Sequence, residues 1–222
     1  MIEVAMSWSG GKDSTLALYE LQQSSDYHVT TLLTTLSRET DRVGIHHVRR
    51  ELIEQQAAAV GVPLRVAYIP AAASNAEYEA ALGSALASLR KERIEHIAFG
   101  DLFIEDIRTY RDAFMARNGM RPLYPIWGRD TRQLATDFVA QGFKAVTSCV
   151  DLRALDASFV GRVIDDVFLA DLPATADPCG ENGEFHSFVF DGPNFRHPIE
   201  FTVAERIEES PFCFCDLQPV VL

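Results

Sequence analysis

The sequence is short of basic residues, of paired cysteines and of long apolar runs, and each shortage removes a class of function. Lys and Arg number 20 against 32 Asp and Glu, a formal net charge of −12. Non-specific nucleic-acid binding draws its affinity from phosphate neutralisation by Lys and Arg, so nucleic acid is not an expected partner outside a local basic patch. The four cysteines, Cys149, Cys179, Cys213 and Cys215, contain no C-x-x-C pair, which leaves a zinc site or redox motif without its usual ligands. Buried thiols are expected, with Cys213 and Cys215 on one face of a strand. No stretch approaches the roughly 20 apolar residues of a membrane span. Met1 leads straight into an apolar run with no signal-peptide n-region or cleavage site, so a cytoplasmic location is expected. No G-x-G-x-x-G dinucleotide fingerprint can be laid over the first glycine-rich turn, and a Walker A loop would need glycine at Met6 and Ser or Thr at Asp13.

What is present is ordinary in bulk and specific in detail. A chain of 222 residues, 47% hydrophobic and 23% charged, is long enough for one large soluble domain or two unequal ones. The apolar run Met1 to Trp8 reads as a strand, and Leu16, Ala17, Leu18 and Leu21 have the spacing of a helix that buries one face. Between them lies Ser9-Gly10-Gly11-Lys12-Asp13-Ser14. A helix start carries N–H groups without intrahelical partners and a partial positive charge, so a polyanion there gains hydrogen bonds and a favourable field together. Glycines let the backbone approach closely, and Asp13 and Ser14 are expected at the cap and first turn. The hexapeptide resembles the pyrophosphate loop of the ATP pyrophosphatases, which cleave ATP between the α and β phosphates.

Further along, His28 to Leu36 reads as a strand and Ser37 to Gly44 as a loop. A helix is expected over His46 to Val60, then a strand over Leu64 to Ile69, a helix over Asn75 to Arg93 capped by Asn75, and a strand over Ile94 to Phe99 ending in Gly100-Asp101. Strands alternating with helices at this spacing imply right-handed β-α-β units, hence an α/β fold with a doubly wound parallel sheet. Ligands bind such sheets at the carboxyl ends of the strands, where the hexapeptide, the 37–45 loop and Asp101 all fall. A polar helix over Asp106 to Arg117 is followed by an extended connection, Pro122 to Trp127, which marks a domain boundary. Helices over Thr131 to Gln141 and Ser158 to Leu169 flank a strand from Phe143 to Val150.

The second unusual stretch, Cys179 to His186, holds two carboxylates, an amide and an imidazole. Asn182-Gly183 is a strong signal for a type I′ hairpin turn, and a strand starting at Glu184 would point Glu184, His186 and Phe188 to one face. Taken together, the hexapeptide, Gly100-Asp101, Pro122 to Trp127 and Gly180-Glu181-Asn182-Gly183-Glu184-Phe185-His186 resemble the diphthine–ammonia ligase family, nearly end to end. The resemblance implies a HUP-type nucleotide-binding domain, 1–125, and a smaller C-terminal α/β domain, 126–222, that binds substrate. It implies a reaction as well: ATP adenylates a carboxylate acceptor, ammonium supplies the nitrogen, and AMP and pyrophosphate leave. Gly44-Ile45-His46-His47-Val48-Arg49 is similar to bacterial members. Bacteria make no diphthamide, so the resemblance carries over the ATP chemistry further than it carries over the acceptor.

Under that resemblance Ser9, Gly10, Gly11, Lys12, Asp13, Ser14 and Asp101 are expected to bind ATP, with Asp13 as a Mg²⁺ ligand, since Mg²⁺ favours hard oxygens. Glu181, Asn182, Glu184 and His186 are expected to position ammonium and the acceptor and to take a proton. Arg108 and Arg111 rank lower as an anion clamp, and His46, His47 and Arg49, at a helix start by the expected site, are expected at the surface ahead of a contact between one of them and nucleotide. The competing readings are a nucleotide-binding or sensing protein of the same fold without ligase chemistry, and an RNA-thiolating pyrophosphatase, which the charge and the lack of cysteine pairs disfavour. The pattern leaves the acceptor unnamed and a homo-oligomer open.

Overall fold

A computed structural model of the chain describes residues 1–220. The first half is a parallel sheet built from β1 (Ile2–Ser7), β2 (Tyr27–Ser37), β3 (Leu64–Ile69), β4 (His96–Ala98) and β5 (Arg121–Leu123), in the order β3-β2-β1-β4-β5. Its connections are α1 (Lys12–Gln23), α2 (Arg50–Val60), α3 (Asn75–Lys91) and α4 (Glu105–Arg117). β1 is the central strand, and it alternates as a doubly covered strand must. Val4 and Met6 pack with α1 and α2 on one face, while Ala5 packs with Leu86, Leu89, Ile97 and Phe114 on the other. Strand order reverses at β1, between β2 and β4, so a crevice opens beyond Ser7 and Ala98.

The second half adds α5 (Thr131–Ala140), β6 (Lys144–Asp151), α6 (Asp166–Asp171), β7 (Phe185–Asp191), β8 (Phe201–Glu209) and β9 (Phe212–Pro219). Its antiparallel sheet runs β7-β6-β9-β8. Phe138, Phe143, Phe185 and Phe188 join the same apolar cluster as Val4 and Met6, so this sheet seals one face of the first. The thiols of Cys149, Cys179, Cys213 and Cys215 are free and buried.

Five local expectations are corrected. The cap of α3 is Ser74, which forms a capping box with Glu77, in place of Asn75. α2 starts at Arg50, because Arg42 and Arg49 bridge across the preceding loop and His47 takes φ 56°, both incompatible with helix. Within Pro122 to Trp127, Pro122 belongs to β5, an edge strand where a missing N–H is tolerated. The helix expected over 158–169 is a 3₁₀ turn at Ala157–Phe159 and then α6, interrupted where Gly161 adopts φ 77° and Val163 bridges Val146. Asn182-Gly183 makes no hairpin: β7 pairs with β6, and among the described residues no strand runs directly into the turn.

One side chain joins the two sheets where the first glycine turn meets β7. Gln56, fully buried on α2, accepts from Trp8 Nε1 at 3.1 Å and donates through Nε2 to Gly10 O at 2.9 Å and Val189 O at 2.6 Å. Val189 N also donates to Gly10 O at 2.9 Å. Gly10 has φ 77°, and a Cβ there would come within 2.5 Å of Gln56 Oε1. Gln56→Leu keeps the volume and orphans Trp8 Nε1 and Val189 O, each worth about 1–3 kcal/mol when buried unpaired. Urea unfolding of this variant is expected to show a loss of about 2–4 kcal/mol; a change within about 0.5 kcal/mol would show that the bridge carries no weight.

Candidate functional site

The crevice is a cavity of about 360 Å³. Ser7 to Ser9, Lys12 to Ser14, Thr35, His46, Gly100 and Asp101 line it from the first half, and Gly180, Glu181 and Phe185 to Ser187 from the second. Residues some 170 positions apart in the chain therefore share one wall.

The glycine turn is shaped by its own hydroxyls. Ser9 Oγ accepts from Gly11 N at 3.2 Å and lies 3.2 Å from Ser14 Oγ; Ser14 Oγ and Thr15 Oγ1 donate to Gly11 O at 3.0 and 2.9 Å. The N-cap of α1 is Gly11 itself, with no side-chain cap, and Asp13 stands in the first turn. Two glycines are needed for close approach. A Cβ on Gly11 would lie 2.7 Å from His46 Cε1, and one on Gly100 would lie 2.7 to 2.8 Å from backbone atoms of Asp13 and Ser14. Gly100 thus lets the end of β4 press against the start of α1.

Lys12 points inward, only 2% exposed. Its ammonium donates to Asp13 Oδ1 and Oδ2 at 2.7 and 2.8 Å and to the carbonyl of Cys179, with the Phe185 ring centroid 5.6 Å away. Burial pulls its pKa down, and the charge and hydrogen bond of Asp13, with help from Glu181, outweigh that and hold it above the ordinary lysine value. The backbone N–H of Lys12 donates to Ser187 Oγ at 3.1 Å.

The segment 177–184 is braced from within. Glu184, 6% exposed, accepts from Asp177 N at 2.8 Å and Asn182 Nδ2 at 3.0 Å, while Asp177 Oδ1 accepts from Cys179 N at 2.9 Å. This bracing presents the Cys179 carbonyl to Lys12 and the Glu181 carboxylate to Leu102 N at 2.8 Å and Phe103 N at 3.4 Å. Glu181 and His186 line the cavity; Asn182 and Glu184 do not. Burial, with the charge of Asp13, pushes Glu181 up to about 7 against the pull of the Leu102 amide.

Two imidazoles face each other across the seam, with ring centroids of His46 and His186 4.8 Å apart. His46 Nδ1 lies 3.0 Å from Ser187 O. A carbonyl can only accept, so Nδ1 carries the proton and Nε2 holds the lone pair. Burial pulls His46 down to about 4 and His186 well below its ordinary value, the latter also through the neighbouring His46 and Lys12. Burial thus favours the neutral form of both rings. His46 was expected at the surface; the signal that places it inside is its position just beyond the carboxyl end of β2. Asp101 is paired with Arg111, Oδ2 to Nε at 2.6 Å, and that guanidinium stacks on Phe99 at 4.4 Å. Arg108 turns away, over Trp127 at 4.6 Å and Tyr124 at 4.9 Å, and Arg49 is held by Asp216. Ser187 and Gln56, which fix the turn from β7 and α2, had no motif to mark them.

Comparison with known families covers nearly the whole chain: the Diphthamide synthase N-terminal domain model matches residues 2–122 and the Diphthamide synthase C-terminal domain model residues 130–222. The chain belongs to the diphthamide synthase family. It is similar to the diphthine–ammonia ligase of Mus musculus, 25% identical over 237 residues that span 96% of this chain and 88% of that one. The Danio rerio ligase is 25% identical over 228 residues, 93% of this chain and 89% of its own. The Schizosaccharomyces pombe ligase is 27% identical over 129 residues, and the match spans only 21% of that longer protein. No helix among the described residues is long and apolar enough to cross a membrane.

The raised Glu181 carboxyl makes a signed prediction for this family member. A folded-state pKa of about 7 above the ordinary 4.5 favours the proton in the native state, so stability falls as pH rises from 4.5 to about 7 and stays lower above it. Glu181→Gln, which keeps an acceptor for Leu102 N and has no charge to bury, is expected to lose less melting temperature than the wild type between about pH 5 and pH 8. Parallel pH curves for the two proteins would contradict it.

Proposed function

We propose that the protein is an AMP-forming ATP-dependent ligase that adenylates a carboxylate and transfers ammonia to it. The observation that carries this reading is the Lys12 ammonium, which belongs to the 9–14 turn and hydrogen-bonds both Asp13 and the Cys179 carbonyl of the second motif. One cation is therefore fixed between a helix N-terminus suited to phosphates and the segment that holds Glu181 and His186.

In this reading the carboxylate oxygen of the acceptor attacks the α-phosphorus of ATP, the bond to the β-phosphate oxygen breaks, and an acyl adenylate forms as pyrophosphate leaves. Charge grows on the departing group, where Ser9, Gly10, Gly11, Lys12 and Ser14 are assigned to receive it. Gly11 N–H and Lys12 N–H donate to Ser9 Oγ and Ser187 Oγ, and in this reading a phosphate oxygen takes the place of those hydroxyls. Asp13 and Asp101 are the carboxylates that the first half places on the cavity wall. Mg²⁺ takes one or two protein carboxylates alongside substrate phosphates and water; this donor set fits it, and when bound the ion supplies positive charge to the leaving pyrophosphate.

The second step needs a neutral amine. An ammonium ion gives a proton to a neutral imidazole, and the freed lone pair forms the C–N bond. The C–O bond to AMP then breaks with its electron pair on the phosphate oxygen, and the amine nitrogen loses its second proton to water. The Lys12 charge that disfavours an ammonium also disfavours a cation on the imidazole, so in this reading His46 or His186 passes the proton on to water and does not keep it. Glu181 is assigned to orient the amine from the opposite wall. Asn182 and Glu184 act through the bracing of 177–184 in this reading. The relatives' names give diphthine as one acceptor to test; the His46-His47 stretch, similar to bacterial members, makes a small carboxylic acid the other.

The test is product analysis with ¹⁵N-ammonium, Mg²⁺ and ATP, offering diphthine-bearing elongation factor two in one arm and a panel of small carboxylic acids in the other. AMP, pyrophosphate and a ¹⁵N-amide are expected together, each dependent on ammonium and on the acid. Lys12→Met is expected to lower the rate about 10²–10³-fold, the usual loss for one transition-state donor. Nucleotide binding with no turnover would favour a sensing protein, and ADP with phosphate would overturn pyrophosphate-loop chemistry altogether.

A further inference from the structure

The loop between β2 and α2 reaches the cavity with Val43, Gly44, Ile45 and His46, yet apart from single bridges it has no regular structure of its own. His47 holds φ 56° and Asp41 φ 54°, conformations that non-glycine residues keep only where the surroundings impose them. Asp41 is held from the first sheet, by Tyr68, whereas His47 is held from the second.

Asp216 sits on β9 and is 7% exposed. Its carboxylate accepts from Arg42 Nη2 at 2.8 Å, from Arg49 Nε and Nη2 at 3.0 and 2.7 Å, and from Gln218 Nε2 at 2.9 Å. Arg42 and Arg49 are bridge partners at the neck of the loop. Arg42 also donates through Nη1 to His47 O at 2.8 Å, and Val43 N donates to Val48 O at 2.9 Å. Phe214, two residues before Asp216 and so on the same strand face, lies against the His47 ring with centroids 4.8 Å apart. The hydrogen bonds of Arg49 hold the Asp216 carboxyl well below the usual carboxylate range, so it is an anion wherever the protein is folded near neutrality. Side-chain exposures of 10% for Asp216 and 14% for Arg42 shield their pair from water, and removing one partner from such a group leaves an uncompensated charge. At the far end of the loop His46 has one anchor, Nδ1 on Ser187 O, and nothing among the described residues bonds its Nε2.

We infer that Asp216 is a positioning residue of the cavity: by clamping Arg42 and Arg49 it closes the neck of the 42–49 loop and thereby keeps His46 on Ser187 O, with its Nε2 lone pair free beside the pyrophosphate loop. The clamp joins β9 to the β2 side, a tie between the sheets besides Gln56 and Lys12, and together with the His46–Ser187 bond it holds the wall formed by the loop. That the cavity takes ATP, and that His46 accepts a proton, rest on the ligase reading above.

The test compares wild type, Asp216→Asn and Arg49→Gln. The arginine variant removes one side of the clamp at a part-exposed position and stands in if the first folds poorly. Calorimetry with ATP and Mg²⁺ is expected to give a Kd raised about tenfold in Asp216→Asn, as follows if the loop is closed about a tenth of the time, and a smaller rise in Arg49→Gln. ¹⁵N-histidine spectra without nucleotide should show His46 protonated on Nδ1 in the wild type and averaged between tautomers in the variants. Amide exchange should quicken over 43–48 and stay unchanged in β1 and β6. Unchanged affinity and an unchanged His46 signal in both variants would overturn the assignment; so would exchange that quickens evenly across both sheets, the mark of a merely structural ion pair. None of these readouts needs turnover. A chain that binds ATP and never forms AMP overturns the ligase reading and leaves the clamp standing, whereas a chain that forms AMP with His46 undisturbed in Asp216→Asn overturns the clamp alone.

Discussion

An ammonium that is 2% exposed can remain charged only if the fold supplies fixed partners, and Lys12 draws them from both sheets. Asp13 gives the countercharge from the next residue, and Cys179 gives a carbonyl from 167 positions away. Neither is sufficient in isolation. Asp13 is itself one of the residues that a bound polyanion and its metal would engage, so the Cys179 carbonyl is the partner that can stay with the lysine throughout. The bracing of 177–184 by Asp177 and Glu184 follows from that demand, because a carbonyl aimed at a buried cation must not drift. The Gln56 bridge follows too, since it fixes Gly10 and β7 in the register that brings Cys179 within reach. Much of the second sheet's placement can be traced to the cost of burying one charge.

How far the sequence reveals this depends on the range of the rule applied. The 9–14 turn was legible because its constraints are local: two glycines, a helix start and a strand before it. The order of strands and helices through Arg117 was legible for the same reason, since burial on both faces leaves apolar runs of recognisable length. Failures occurred where a distant partner outvoted a local preference. Phe159, Val160, Val163, Ile164 and Phe168 have an apolar spacing close to that of a helix, yet Val163 bridges Val146 and the chain breaks at Gly161. Asn182-Gly183 has the composition of a hairpin turn, yet β6 takes β7 from the other side of the sheet. His46 to Arg49 read as helix because the ion pairs to Asp216, 167 or more residues away, have no trace in local pattern.

The candidate site divides along the same line. Lys12, Asp13, Ser14, Asp101, Glu181 and His186, all singled out by motif, do line one cavity. Asn182 and Glu184 belong to the same motif and lie behind its wall, where Glu184 accepts from Asp177 N and Asn182. A motif records which residues a segment needs, whether to touch a ligand or to hold the segment that does, and a glutamate is suited to both. Ser187 and Gln56 carry no motif, and their importance comes from how they fix the glycine turn.

Charge acts on the crevice at two ranges. The chain carries a formal −12, which repels anions at long range, while the cavity concentrates Lys12 and Arg111 against Asp13, Asp101 and Glu181 on its walls. Screening over about 8–10 Å at physiological salt confines the repulsion to the surface, so a polyanion inside the crevice responds to the helix start and to Lys12. The same cation tilts the other half of the proposed reaction. Next to a fixed positive charge an imidazole prefers to be neutral, as His46 and His186 are, and an amine prefers to be neutral as well. A site arranged to hold a leaving pyrophosphate thereby also favours the unprotonated form of the nucleophile. In the proposed reaction one buried lysine would serve both halves, binding charge where pyrophosphate departs and favouring the unprotonated amine where the new bond forms.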